Sequence, residues 1–169
     1  MRALRDNDCT TFFVYPGGAI LPLFDVLDHY GEQINTILMR HEQCIAHAAT
    51  GYARVAKKPA VCVVTSGPGV SNLVSGIADA MMDGTPLIVI SGQVKSLTVG
   101  TGAFQEVDVV GLMSPICKSV CYIHRAESIA PAVFKACELA VQGRPGPVVI
   151  DNPKDMTNPA DKFEYSYPK

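Results

Sequence analysis

No basic cluster occurs anywhere in the chain, and the formal net charge is only −2, which argues against nucleic acid as the main partner. No apolar run approaches the ~20 residues needed to span a bilayer, so no membrane partner is expected. The opening stretch MRALRDNDCTTFF lacks the apolar core of a secretory signal and shows no transit peptide. The expected location is therefore cytoplasmic, or organellar if the source is eukaryotic. There is no CxxC pair and no zinc spacing among the six cysteines. His29, His41, His47 and His124 make no ligand set, and His41 and His47 would not share a helix face, so no metal site is expected. Ser66 and Ser91 each end an apolar run without a GxSxG elbow, which argues against a serine hydrolase. Tryptophan is absent, but hydrophobic residues make up 48% and charged residues 18% of the 169, an ordinary globular balance that excludes dominant disorder.

What is present is an alternation of short apolar runs with runs of helical period. Strands are expected at residues 12–15, 36–39, 60–65, 86–91, 116–123 (the weakest) and 147–151. Helices are expected at 19–30, 42–56, 70–82 and 128–142. Too little chain precedes the first strand for a full N-terminal helix. Alanines at 46, 48, 49, 53 and 56 give the second helix a small-residue face that lets another element, or a partner, come close. Cys44, Cys62, Cys117 and Cys137 fall inside periodic apolar segments and are expected as small buried side chains in a reducing compartment.

Strands without polar alternation are buried on both faces. Joined through helices by right-handed crossovers, they predict an α/β fold: a three-layer α/β/α arrangement around a mostly parallel sheet of about six strands. From Asn152 onward the chain is aperiodic, with prolines at 153, 159 and 168, and reads as a linker. The expected domain spans residues 1–156, with 157–169 as a tail.

In such a sheet, ligands bind beyond the carboxyl ends of the strands. Four segments fall there: Pro16-Gly17-Gly18, His41-Glu42-Gln43, Thr65-Ser66-Gly67-Pro68-Gly69, and Gly92 with the loop to Phe104-Gln105-Glu106. The third fits two readings. It could cradle a phosphate at a helix N-terminus, or be a tight strand-to-helix turn with Ser66 capping and Pro68 in the first turn. Glu42 is equally ambiguous. It suits the first turn of a helix, where the macrodipole favours an acid. It also suits an apolar setting made by Cys44, Ile45 and Ala46, as a carboxyl poised to exchange a proton.

Eight motifs occur in order: Tyr15-Pro16-Gly17-Gly18-Ala19, Arg40-His41-Glu42-Gln43, Gly51-Tyr52-Ala53-Arg54, Thr65-Ser66-Gly67-Pro68-Gly69, Ala78-Asp79-Ala80, Gly92-Gln93-Val94, Ala103-Phe104-Gln105-Glu106-Val107-Asp108 and Gly143-Arg144-Pro145-Gly146-Pro147. Over about residues 5–156 this string closely resembles the N-terminal, pyrimidine-binding domain of the acetolactate (acetohydroxyacid) synthase family, which are thiamine-diphosphate enzymes. Phe104-Gln105-Glu106 and Pro153-Lys154-Asp155 carry the resemblance to that family within the wider superfamily.

The resemblance implies roles. Glu42 matches the glutamate that bonds N1′ of the aminopyrimidine and delivers acid–base work through the cofactor. Pro68 and Asn72 lie where family members flank the pyrimidine, and Gly17 and Gly18 match the loop beside the reacting centre. Gln105 matches a residue that contacts substrate or intermediate, Phe104 a pocket wall, and Lys154 a lysine of the substrate channel. The implied reaction decarboxylates pyruvate and joins the product to a second 2-oxo acid, in branched-chain amino-acid synthesis.

Mg²⁺ and FAD are implied for the full-length enzyme but on parts outside this sequence, where the family has a GDG…N motif and a middle domain. The implied partners are a second copy (homodimer or tetramer), the diphosphate-binding domain of a partner chain, and a regulatory subunit; this chain alone is expected to be inactive. Thr50, Lys95 and Gly102 depart from the family's usual Glu, Pro and Asp. Two alternatives are a subunit of a split thiamine-diphosphate 2-oxo acid decarboxylase and a non-catalytic binding module of the same fold.

Overall fold

Six short apolar runs form one sheet in the computed structural model, which describes residues 1–157. The strands are β1 (Thr11–Val14), β2 (Asn35–Leu38), β3 (Ala60–Val64), β4 (Leu87–Gln93), β5 (Ser119–Tyr122) and β6 (Pro147–Pro153), and the helices are α1 (Arg2–Asp6), α2 (Leu21–Asp28), α3 (Glu42–Ala56), α4 (Pro68–Ser71), α5 (Val74–Met82), α6 (Val109–Met113) and α7 (Ile129–Val141). The strand order is β2-β1-β3-β4-β6-β5, and every pairing is parallel.

Alternate side chains of each strand enter different cores. Phe12, Val14, Val61, Val63, Ile88 and Ile90 join Leu4, Leu27 and Val133 on the face covered by α1, α2 and α7. Phe13, Cys62, Val64, Leu87 and Val89 join Ile45, Leu73, Ile77 and Met113 on the face covered by α3 to α6. The expected three layers are thus present. Each fully buried aliphatic contributes ~1.5–3 kcal/mol relative to exposure, so β1, β3 and β4, buried throughout, anchor the sheet.

The departures have local causes. β2 is an edge strand and three of its four residues are exposed, not buried on both faces as its apolar run suggested. The N-terminus does hold a helix, but a single turn, α1. The expected helix at 70–82 is two pieces. Leu73 N bonds Val70 O in a tightened turn, and Ser71 Oγ bonds back to Gly67 O at 2.8 Å. The helix α6 has no counterpart in the sequence reading, although Asp108 caps it by accepting from Gly111 N at 2.9 Å. Asn152 and Pro153 are buried strand residues of β6 rather than linker. Of the expected tail, residues 158–169 lie outside the described residues.

The small-residue face of α3 is turned inward. Ala46, Ala49 and Ala53 are buried against α5, and a Cβ on Gly76 would overlap that of Ala46. These three alanines serve intradomain packing, whereas Ala48 is half-buried and Ala56 exposed on the same helix. Gly76→Ala is therefore expected to destabilise the protein by roughly 1–2 kcal/mol net, overpacking outweighing the better helix propensity. Chemical unfolding checks this, and Ala46→Gly added to Gly76→Ala should recover part of the loss by moving the methyl to the opposite helix.

Cys62, Cys117 and Cys137 are buried as expected, but Cys44 is exposed, one residue off the inward face of α3 that carries Ile45 and Ala46. Cys9 is buried instead, with its Sγ 3.9 Å from that of Cys137. Burial pushes the Cys62 thiol up to about 12.

Candidate functional site

The chain leaves β1 for α2 on one face of the sheet and leaves β3 for α4 on the other. The loops after these neighbouring strands come together at the point where the strand order reverses, the place where open α/β sheets form their ligand crevice. Glycines occupy positions there that leave no room for a side chain, two beside Thr65 and one against the Gln105 backbone. A Cβ on Gly17 would overlap the Thr65 side chain. On Gly69 it would stand 2.9 Å from Thr65 Cγ2 and 3.7 Å from Glu42 Oε1. Gly67 has φ +59°, and a Cβ there would lie 2.6 Å from the carbonyl oxygen of Gln105. Thr65 Oγ1 accepts from Ala19 N at 3.3 Å and so joins the two loops.

Glu42 starts α3 at the same end of the sheet and is only 7% exposed. His41 caps the helix through Nδ1, which accepts from Gln43 N at 3.1 Å. The carboxyl is held by Asn72, whose Nδ2 donates to Oε2 at 3.0 Å. The break between α4 and α5 sets this contact, because Asn72 closes the short helix α4 rather than continuing it. Oε1 lies beside Gly69. A largely buried carboxyl with one oxygen oriented by Asn72 can exchange a proton with a basic heteroaromatic nitrogen, the chemistry of an aminopyrimidine.

The other candidates are placed as follows. Pro68 is exposed at the first position of α4, and Gly67, not Ser66, occupies its cap with no side-chain bond, so Ser66 is not the cap expected. Gly18 is exposed, and a Cβ there would meet nothing within 4 Å. Gln105 has φ +60°, an uncommon conformation for a residue with a side chain, and its backbone packs on Gly67. Phe104, beside it, is 88% exposed. Lys154 is exposed and opens the 3-10 turn Lys154–Thr157 after β6, two strands from β3. Thr50 is buried and donates to Ala46 O at 2.8 Å, while Lys95 and Gly102 are exposed in the loop after β4. Among the described residues no group of three or more His, Cys, Asp or Glu could hold a metal ion.

A second reversal of strand order, between β4 and β6, holds residues that the sequence reading missed. A cavity of about 310 Å³ there is lined by Gln93, Val99, Glu106, Val109, Tyr122 and Asp151, among others. Asp151 is 1% exposed, and its Oδ1 has no partner among the described residues. Burial pushes its carboxyl up to about 7, Gln93 opposes this by donating to Oδ2, and the Asp108 charge adds to it. The available signal was an acid ending the apolar run 147–151.

Comparison with known proteins gives these residues a family. The pattern described as "Thiamine pyrophosphate enzyme, N-terminal TPP binding domain" matches residues 1–112. The Acetolactate synthase isozyme 3 large subunit of Escherichia coli is 46% identical over 169 residues, covering 100% of this chain and 29% of that protein. The Acetolactate synthase catalytic subunit, mitochondrial, of Saccharomyces cerevisiae is 48% identical over 147 residues, 87% of this chain and 21% of that protein. Among solved structures, the thiamine diphosphate-dependent 4-hydroxybenzoylformate decarboxylase of Rhodococcus jostii RHA1 superposes with a TM-score of 0.85 at 26% identity, over 92% of this chain and 29% of that one. The chain thus spans under a third of the length of the curated relatives it matches. It belongs to the thiamine pyrophosphate enzyme family, as the N-terminal TPP binding domain.

Proposed function

We propose that residues 1–156 are the pyrimidine-binding domain of an acetolactate synthase, with 157–169 leading toward a further domain of the full-length protein. The observation that carries this reading is the largely buried Glu42 carboxyl, with one oxygen held by Asn72 and the other beside Gly69. The 46% identity to the Escherichia coli large subunit supports the choice of reaction. When bound, thiamine diphosphate supplies the electron sink for decarboxylating a 2-oxo acid.

This chain's residues act on the pyrimidine end. Glu42 Oε1 takes and returns a proton at a ring nitrogen. Asn72 orients the carboxyl by occupying Oε2, and Pro68 and Asn72 flank the ring. Gly17 and Gly18 lie beside the reacting centre, Gln105 and Phe104 border the substrate, and Lys154 guards the channel. Mg²⁺ and FAD belong to parts outside this chain. The complete site needs the diphosphate-binding domain of a partner chain within a homodimer or tetramer, regulated by a further subunit, in the cytoplasm or an organelle. Among the described residues no helix is long and apolar enough to cross a membrane.

The test is turnover by the product of the whole reading frame, supplied with thiamine diphosphate, Mg²⁺ and FAD. Two pyruvates should give one acetolactate and one CO₂, and 2-oxobutyrate should serve as second substrate. No consumption of pyruvate under these conditions would refute the reading.

A further inference from the structure

We infer that Gln93 is a positioning residue: its buried side-chain amide, backed by Asp151, ties together the two ends of the loop that carries Gln105 to the crevice. Gln93 is 2% exposed at the end of β4. Its Oε1 accepts from Val94 N at 2.9 Å, where the loop begins. Its Nε2 donates to Val107 O at 3.0 Å, where the loop ends, and to Asp151 Oδ2 at 3.3 Å. One amide group therefore closes a loop of more than ten residues, and β6 holds that amide in place through Asp151.

The loop has further fasteners, but they act elsewhere. Glu106 accepts from Gly100 N and Ala103 N and so shapes the tip. Asp155 accepts from Ser96 N at 2.9 Å and fixes the first turn. Neither joins the two ends. Gln105 sits between them with φ +60° and its backbone against Gly67. A side-chain-bearing residue keeps such a conformation only when its surroundings over-determine it. The bonds that Gln93 makes supply that constraint from the core side, and Gly67 supplies it from the crevice side. The importance of Gln105 rests on the function proposed above; the clamp does not.

The test uses the full-length protein and hydrogen–deuterium exchange of peptides from the loop after β4, with peptides from β3 and α3 as internal controls. Gln93→Glu keeps the acceptor for Val94 N, removes the donor and sets a second carboxyl beside Asp151. Loop exchange should rise by ~tenfold, because two hydrogen bonds that oppose local opening are lost, while the control peptides stay unchanged. Adding Asp151→Asn relieves the carboxyl pair, the new amide donating to the carboxylate at 93, but leaves Val107 O without its donor, so loop exchange should stay raised.

In turnover, Gln93→Glu should raise KM for the 2-oxo acid while affinity for thiamine diphosphate, measured by direct titration, is retained. Unchanged loop exchange in Gln93→Glu, or a double variant whose loop exchanges like wild type, would overturn the proposal. If both fail to fold, Gln93→Met, which keeps the volume and removes the hydrogen bonds, decides: unchanged loop exchange in it would overturn the proposal, since Gln93 would then serve packing only. A loosened loop in a protein that does not consume pyruvate leaves the clamp standing and removes the substrate reading; normal pyruvate turnover with an unchanged loop does the reverse.

Discussion

In the full-length protein, Glu42→Gln is expected to cut turnover by roughly 10²–10⁴-fold while the fold survives. Glutamine keeps the length of the side chain and an oxygen that can accept from Asn72 Nδ2, so the contact that orients position 42 persists. What it loses is the capacity to take up and release a proton at the second oxygen. Glu42→Asp should also be impaired, because the carboxyl is withdrawn by one methylene. Two measurements check this: the exchange rate of the C2 proton of bound thiamine diphosphate, and the urea midpoint of the variant. A C2 exchange rate equal to wild type would return Glu42 to the role of a helix-start acid, an electrostatic contribution of only ~0.3–1 kcal/mol.

Between pH 5 and pH 8 the protein should lose roughly 2–3 kcal/mol of stability that Asp151→Asn does not lose. In the folded chain burial moves the Asp151 carboxyl from an ordinary 3.8 up to about 7. The unfolded chain gives up this proton near the ordinary value, and the folded chain holds it until about neutrality. Between those two values the folded state binds more protons, so its stability falls as pH rises. The full penalty is on the order of 4 kcal/mol, reached only above the folded value. Asp108 pushes in the same direction, and the bond from Gln93 offsets part of the cost. Urea unfolding of both proteins at the two pH values tests this, and parallel pH dependence would show that the carboxyl is not desolvated.

Much of the architecture was legible because it rests on burial. Runs such as AVCVV and LIVIS admit no solvated face, so they had to be central strands, and their alternation with helical segments pointed to a parallel sheet. Glu42–Ala56 was readable to the residue because its small and apolar residues recur at helical spacing and Glu42, an acid suited to a first turn, opens it. Errors arose where a residue's environment is set by the neighbour it meets. Cys44 looks buried in a list of apolar residues yet is rotated to solvent, and β2 looks like a core strand yet lies at the edge. Asn152 and Pro153 look like linker yet pair with Gly92 and Gln93.

By itself the sequence determined the fold class, the six strands and the set of loops that gather at one end of the sheet, because hydrophobic periodicity and turn residues are local properties of the chain. Only the tertiary structure decided which of those loops touch. That Glu42 meets Asn72, that Gly17 and Gly69 close on Thr65, and that Gln93 ties Val94 to Val107 under Asp151 all depend on strand order and on a two-residue break in a helix. Contacts between residues 14 to 58 positions apart are set by packing of the whole sheet, and no local pattern encodes them.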